Sequence, residues 1–111
     1  LINGNYVSLY IKTDKEFEKS FDKSPQIKVG FMLSKKKFPD AARRNALRRQ
    51  MKEIYRMNKY IIDIPEGRHL TILFSANSVA AAIIRDKRKM NYLILKADIL
   101  KLFEKINIMQ K

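Results

Sequence analysis

The chain has 111 residues, enough for one modest hydrophobic core and too few for two. Apolar and aromatic residues make up 46% of it, which excludes a disordered polycation even though 24 Lys and Arg face only 11 Asp and Glu. A formal charge of +13 and no cysteine exclude disulfide frameworks, thiolate metal sites and cysteine nucleophiles, and leave an anionic partner as the leading expectation, nucleic acid before acidic membrane.

The single histidine, His69, supplies neither a histidine metal cluster nor a triad, because no nucleophile signature lies near it; it reads as a polar residue at a strand end. We therefore expect no catalytic residue and no metal ligand in the chain itself. No apolar run reaches the roughly 20 residues needed to span a bilayer, and the first residues lack a signal-peptide layout. The expected protein is soluble, cytoplasmic and a single domain over 1–111.

In chain order, Asn5 to Lys12 alternates with period two, placing Val7, Leu9 and Ile11 on one face of a strand and Tyr6, Ser8 and Tyr10 on the other. The numbering enters this strand almost at once and without an initiator Met, which suggests further residues upstream. Residues 13 to 26 mix both charge signs before Ser24-Pro25, as in an exposed connection with room for a helical turn around Phe17 and Phe21. A second strand is predicted from Ile27 to Ser34, with Ile27, Val29, Phe31 and Leu33 on one face and Gly30 leaving the other open. After Lys35-Lys36-Lys37 and a turn at Phe38-Pro39, Asp40 is placed to cap a helix running to about Tyr60, and Pro65 and Gly67 end the connection that follows. Leu70 to Ser75 is a third strand. The Ala- and Ile-rich stretch from Val79 to Ile84 fits either a short helix or a buried strand. Asn91 caps a last helix with the apolar stripe Leu95, Ile99, Leu102, Phe103 and Ile106.

The long central helix is the informative element. At 100° per residue, Arg44, Arg48, Lys59, Lys52, Asn45, Arg56 and Arg49 occupy an arc of about 140°, and Ile61, Ile54, Leu47, Asn58, Met51 and Tyr55 an adjacent arc of about 120°. Residues 35 to 60 hold ten basic side chains against Asp40 and Glu53, a net of +8. A solvated helix face ordinarily interleaves acids at i,i+4, and this one scarcely does, so an external anion is the expected source of the missing charge. Arg predominates in the first two turns, where Arg43, Arg44, Arg48 and Arg49 offer forked donors that match phosphate. Arg43 and Arg44 also stand at the helix end where the dipole disfavours cations, a stability cost that points to function.

The run Ser34-Lys35-Lys36, then Ala41-Ala42-Arg43-Arg44-Asn45-Ala46-Leu47-Arg48-Arg49-Gln50-Met51-Lys52-Glu53, resembles the signature of the bacterial ribonuclease P protein family: a strand ending Ser-Lys-Lys, a turn, then Ala-Val-x-Arg-Asn-Arg-x-Lys-Arg-x-x-Arg-Glu on a helix. On that match Arg44-Asn45 takes the place of the Arg-Asn pair, Arg48-Arg49 the Lys-Arg pair, and Lys52-Glu53 the closing Arg-Glu. Gly30 falls at the family's strand glycine. Ala46 replaces the second Arg of Arg-Asn-Arg, and Phe38-Pro39 fills a turn that usually carries Gly. The weaker likeness runs from Tyr6 to Ile106, with 76 to 90 as extra sequence and no counterpart to the family's first helix.

The resemblance implies an α+β fold, a small mixed sheet with helices mainly on one face, akin to a domain of a ribosomal protein, and a left-handed βαβ crossover that no pattern in the sequence reveals. It implies an RNA-binding subunit that assists a catalytic RNA in removing the 5′ leader of precursor tRNA, with magnesium held through the RNA and neither a protein partner nor a membrane required. RNA contacts are expected from Ser34, Lys35, Lys36, Arg43, Arg44, Asn45, Arg48, Arg49, Lys52 and Arg56, and leader contacts from Tyr6, Ser8 and Tyr10, whose rings suit unpaired bases. Rival expectations are a ribosomal or RNA-assembly protein without a processing role, and a lone metal-dependent nuclease. For the latter, the acids Asp14, Glu16, Glu18 and Asp22 sit in a mixed-charge loop rather than a ligand cluster.

Overall fold

The computed structural model describes residues 1–15, 26–63, 68–85 and 90–109. Strands β1 (Ile2–Asn3), β2 (Val7–Lys15), β3 (Gln26–Met32) and β4 (Arg68–Ala76) form one sheet in the order β1-β2-β4-β3. Helix α1 (Ala41–Asn58), extended by a 3-10 turn at Lys59–Ile61, joins β3 to β4; α2 (Ser78–Arg85) and α3 (Tyr92–Met109) follow. β2 lies antiparallel to β1 and β4, whereas β3 and β4 run parallel, as a strand-helix-strand unit requires.

Alternation along the strands decides which face is covered. Leu9, Phe74 and Phe31 stand in register across β2, β4 and β3, as do Val7 with Ala76 and Ile11 with Ile72. Val7, Leu9, Leu70, Ile72, Phe74 and Ala76 are buried beneath Leu47, Met51 and Ile54 of α1 and Leu95, Ile99, Leu102, Phe103 and Ile106 of α3. The residues between them, Ser8, Tyr10, Thr71, Leu73, Ser75, Lys28 and Met32, are half-buried or exposed, so the helices pack on one side only. Helices α1, α2 and α3 each begin on a side-chain cap. Asp40 Oδ1 accepts from the Ala42 and Arg43 amides at 3.0 and 3.3 Å, Asn77 Oδ1 from Val79 and Ala80 at 3.0 and 3.1 Å, and Asn91 Oδ1 from Leu93 and Ile94 at 2.9 and 3.3 Å.

Three expectations are revised and one that was open is decided. The first strand starts at Val7 rather than Asn5 and runs on through 13–15, and it is preceded by β1, which the sequence did not announce. The third strand is longer, from Arg68 to Ala76. The stretch from Val79 to Ile84 is helical, with Ala80, Ala81 and Ile84 buried. Tyr6 does not share the open face with Tyr10: it precedes the strand, is half-buried, and packs against the core. The helical turn around Phe17 and Phe21, and Pro65 and Gly67, lie outside the described residues.

The reason for the altered start is Asp98. This buried carboxylate on α3 accepts from the backbone amides of Asn5, Tyr6 and Val7 at 2.7, 2.9 and 3.2 Å, and so satisfies three donors where β1 turns into β2. Gly4 completes the turn, since a Cβ there would stand 2.8 Å from both Asp98 oxygens and from the Val7 carbonyl. Asp98→Ala strands these donors and should cost about 2–4 kcal/mol, read as a lowered urea midpoint with unchanged slope; an unaltered midpoint contradicts the role given to Asp98.

A ring cluster locks the sheet to the helices. Phe31 stacks on Phe74 with centroids 4.8 Å apart, and Tyr55 of α1 meets Phe31, Phe74 and Phe103 edge-on at 6.1 to 6.4 Å. Burial raises the Tyr55 phenol above its usual 10.0. The folded state then keeps a proton that the unfolded chain releases, so this group's contribution to stability is intact below about pH 10 and declines as pH rises further. Tyr55→Phe should remove a late-titrating component from the 295 nm phenolate titration; an identical titration curve would exclude that environment.

Candidate RNA-binding surface

The approach to α1 is built by the backbone. Ser34 Oγ accepts from the Lys36 amide at 3.1 Å and the Ser34 carbonyl from the Phe38 amide at 2.8 Å, a tight turn that leaves Lys35, Lys36 and Lys37 exposed. Phe38, only 1% exposed, anchors the far side of that turn in the core. Arg44 Nη1 donates to the Phe38 carbonyl at 2.8 Å, fastening the turn to the first turn of the helix.

The two arcs expected on α1 are present. Leu47, Met51, Ile54 and Asn58 are buried, and Tyr55 and Ile61 pack partly against the core. Asn58 is tolerated because its amide donates to the Ile54 carbonyl at 2.8 Å. On the other side Asn45, Arg49, Lys52, Arg56 and Lys59 are exposed and Arg48 is half-buried. Arg48 Nη1 donates to Asn45 Oδ1 at 2.8 Å, so the asparagine of the Arg-Asn pair sets the direction of a guanidinium one turn on. Lys52 Nζ lies 6.0 Å from the centre of the Phe31 ring, within cation–π range.

Asn45, Arg48, Arg49 and Lys52 together line an open concavity of about 290 Å³. Among the described residues, none of Arg44, Arg48, Arg49, Lys52, Arg56 and Lys59 forms an ion pair. The row Arg44, Arg48, Lys52, Arg56 places like charges at every i,i+4 step, at a cost of roughly 1 kcal/mol for the three pairs. Three cations with forked and point donors around one hollow suit a phosphate-rich backbone.

Arg43 behaves differently. Its Nη1 donates to the Ile84 carbonyl at 3.0 Å and its Nε pairs with Asp40 at 3.4 Å, so the structure uses this guanidinium to hold the end of α2 against α1. About two turns on, Gln50 donates to the Met90 carbonyl at 3.2 Å and ties the approach to α3 to α1. Neither tie was visible in the sequence, where Arg43 counted with the RNA-binding cations although it lay outside the cationic arc.

A second surface is the open side of the sheet. Its rows are Ser8, Ser75 and Met32; Tyr10, Leu73 and Gly30; and Lys12, Thr71 and Lys28. Tyr10 is 46% exposed and stands beside Leu73, whose Cδ1 lies 3.0 Å from where a Cβ on Gly30 would be. Ser8 Oγ donates to Asn3 Oδ1 at 2.8 Å, so of the three residues expected to contact a leader only Tyr10 presents an exposed ring there.

Among the described residues no three His, Cys, Asp or Glu side chains come together to hold a metal ion, and no helix is long and apolar enough to cross a membrane. The fold is similar to that of the ribonuclease P protein of Thermotoga maritima, with a TM-score of 0.65 and 21% identity, covering 95% of this chain and 81% of that one. A structure of the Thermotoga maritima protein in complex with 1-(4-fluorophenyl)-2-thiourea gives 0.66 and 20%, covering 95% and 83%. None of the curated proteins matches the chain. The family model described as Ribonuclease P matches residues 1–107, which takes in both surfaces and all four strands, and the chain belongs to that family.

Proposed function

We propose that the chain is the RNA-binding subunit of a ribonuclease P, docking on a catalytic RNA through α1 and thereby assisting removal of the 5′ leader from precursor tRNA. Family membership supports a tRNA-processing RNA-binding role. The observation that carries the finer reading is the α1 row itself, six cations with no carboxylate partner among the described residues. On this reading the RNA performs the hydrolysis and holds the magnesium it needs, while the chain lowers the repulsion between two polyanions, the catalytic RNA and its substrate. The open sheet face, with Tyr10 between Lys12 and Ser8 along β2, is assigned to the unpaired leader.

Reconstitution tests the assignment. With a ribonuclease P RNA at low magnesium, adding the chain should restore precursor tRNA cleavage that neither component gives alone. Cleavage by the polypeptide unaided, or no stimulation of the RNA, would overturn it. Within that system Arg48→Ala with Arg49→Ala should weaken RNA affinity roughly tenfold or more and reduce the slope of log affinity against log salt by about two, one per lost phosphate contact. A filter-binding series across salt concentrations reads both quantities, and an unchanged slope would detach these two residues from the RNA.

A further inference from the structure

We propose that Tyr60 is a stacking platform for an unpaired base of the RNA that α1 binds, a contact resting on the function proposed above. Tyr60 belongs to the 3-10 turn that ends α1 and is 79% exposed, the most exposed large hydrophobic side chain among the described residues. Among the described residues its ring and hydroxyl have no hydrogen bond, ring contact or ion pair. The sheet and α3 take Ile61 and Ile62 into the core beside it, so the chain has apolar burial available at this end and leaves the phenol outside.

Its surroundings select the partner. Tyr60 follows Arg56 and Lys59, both exposed, at the end of the helix that carries Arg49 and Lys52. An apolar protein surface would have to desolvate those charges to reach the ring. A single RNA strand offers phosphates to Arg56 and Lys59 and the π-face of a base to the phenol, in one covalently joined unit. A duplex has no splayed base to present, so the partner site is a bulge, loop or end.

The chain contains no tryptophan, which makes Tyr60→Trp a single fluorophore at the site. Titrated with a full-length ribonuclease P RNA transcript, its emission should be quenched at saturation. Tyr60→Phe should bind that transcript as the parent does, and Tyr60→Leu, equally apolar but without a π-face, should bind about five- to tenfold more weakly with an unchanged salt slope. Emission unaffected at saturation, or Leu equal to Phe in affinity, would overturn the stacking contact while leaving the α1 assignment standing. If the parent chain failed to bind the transcript at all, the functional proposal and this contact would fall together.

Discussion

Helix α1 must bury one side and present like charges on the other, and the first condition makes the second tolerable. Leu47, Met51 and Ile54 are essentially inaccessible to solvent, and each such side chain contributes roughly 1.5–3 kcal/mol by leaving water. The three i,i+4 repulsions along Arg44, Arg48, Lys52 and Arg56 cost about 1 kcal/mol altogether. Burial therefore wins by a wide margin, and the helix can hold its cations at fixed spacing without carboxylates of its own to neutralise them. The unneutralised row is what an RNA would complete.

The two surfaces of the molecule are also separated by this arrangement. Because α1 and α3 cover one side of the sheet, the side carrying Tyr10, Leu73 and Met32 is left open among the described residues. A catalytic RNA on the helix and a single strand on the sheet would then not compete for the same side chains. The aromatic cluster of Phe31, Tyr55, Phe74 and Phe103 joins helix to sheet, and Phe31 touches the cationic row through Lys52, so the position of that row is referred directly to β3. Phe38 does comparable work at the entry to the helix: where the resemblance leads one to expect a glycine turn, a buried ring and an Arg44-to-carbonyl bond hold the turn instead.

Periodicity and caps made α1, α3 and the covered faces of the strands legible, because those signals are local: Asp40, Asn91 and the 3.6- and 2-residue repeats lie within a turn or two of what they specify. The Arg-Asn and Arg-Arg pairs were legible for the same reason. What stayed hidden depends on distant partners. Nothing local sets Asp98 apart, Arg43 counted with the RNA-binding cations, and Tyr6 read as the next residue of an alternating strand; their contacts come from α3, α2 and the β1–β2 turn. The segment from Val79 to Ile84 was ambiguous because a short apolar run satisfies either period, and its Asn77 cap is what settles it as a helix.

The Asp98 carboxylate bears on how the polypeptide matures as it leaves the ribosome. The amides of Asn5 and Val7 find their acceptor 93 and 91 positions downstream, on α3. The β1–β2 hairpin thus emerges well before the acceptor that completes it, and a chain stalled before α3 would carry β1 and β2 without the group that closes their turn. A truncation that removed Asp98 would therefore be felt 91 to 93 positions earlier, at the β1–β2 turn.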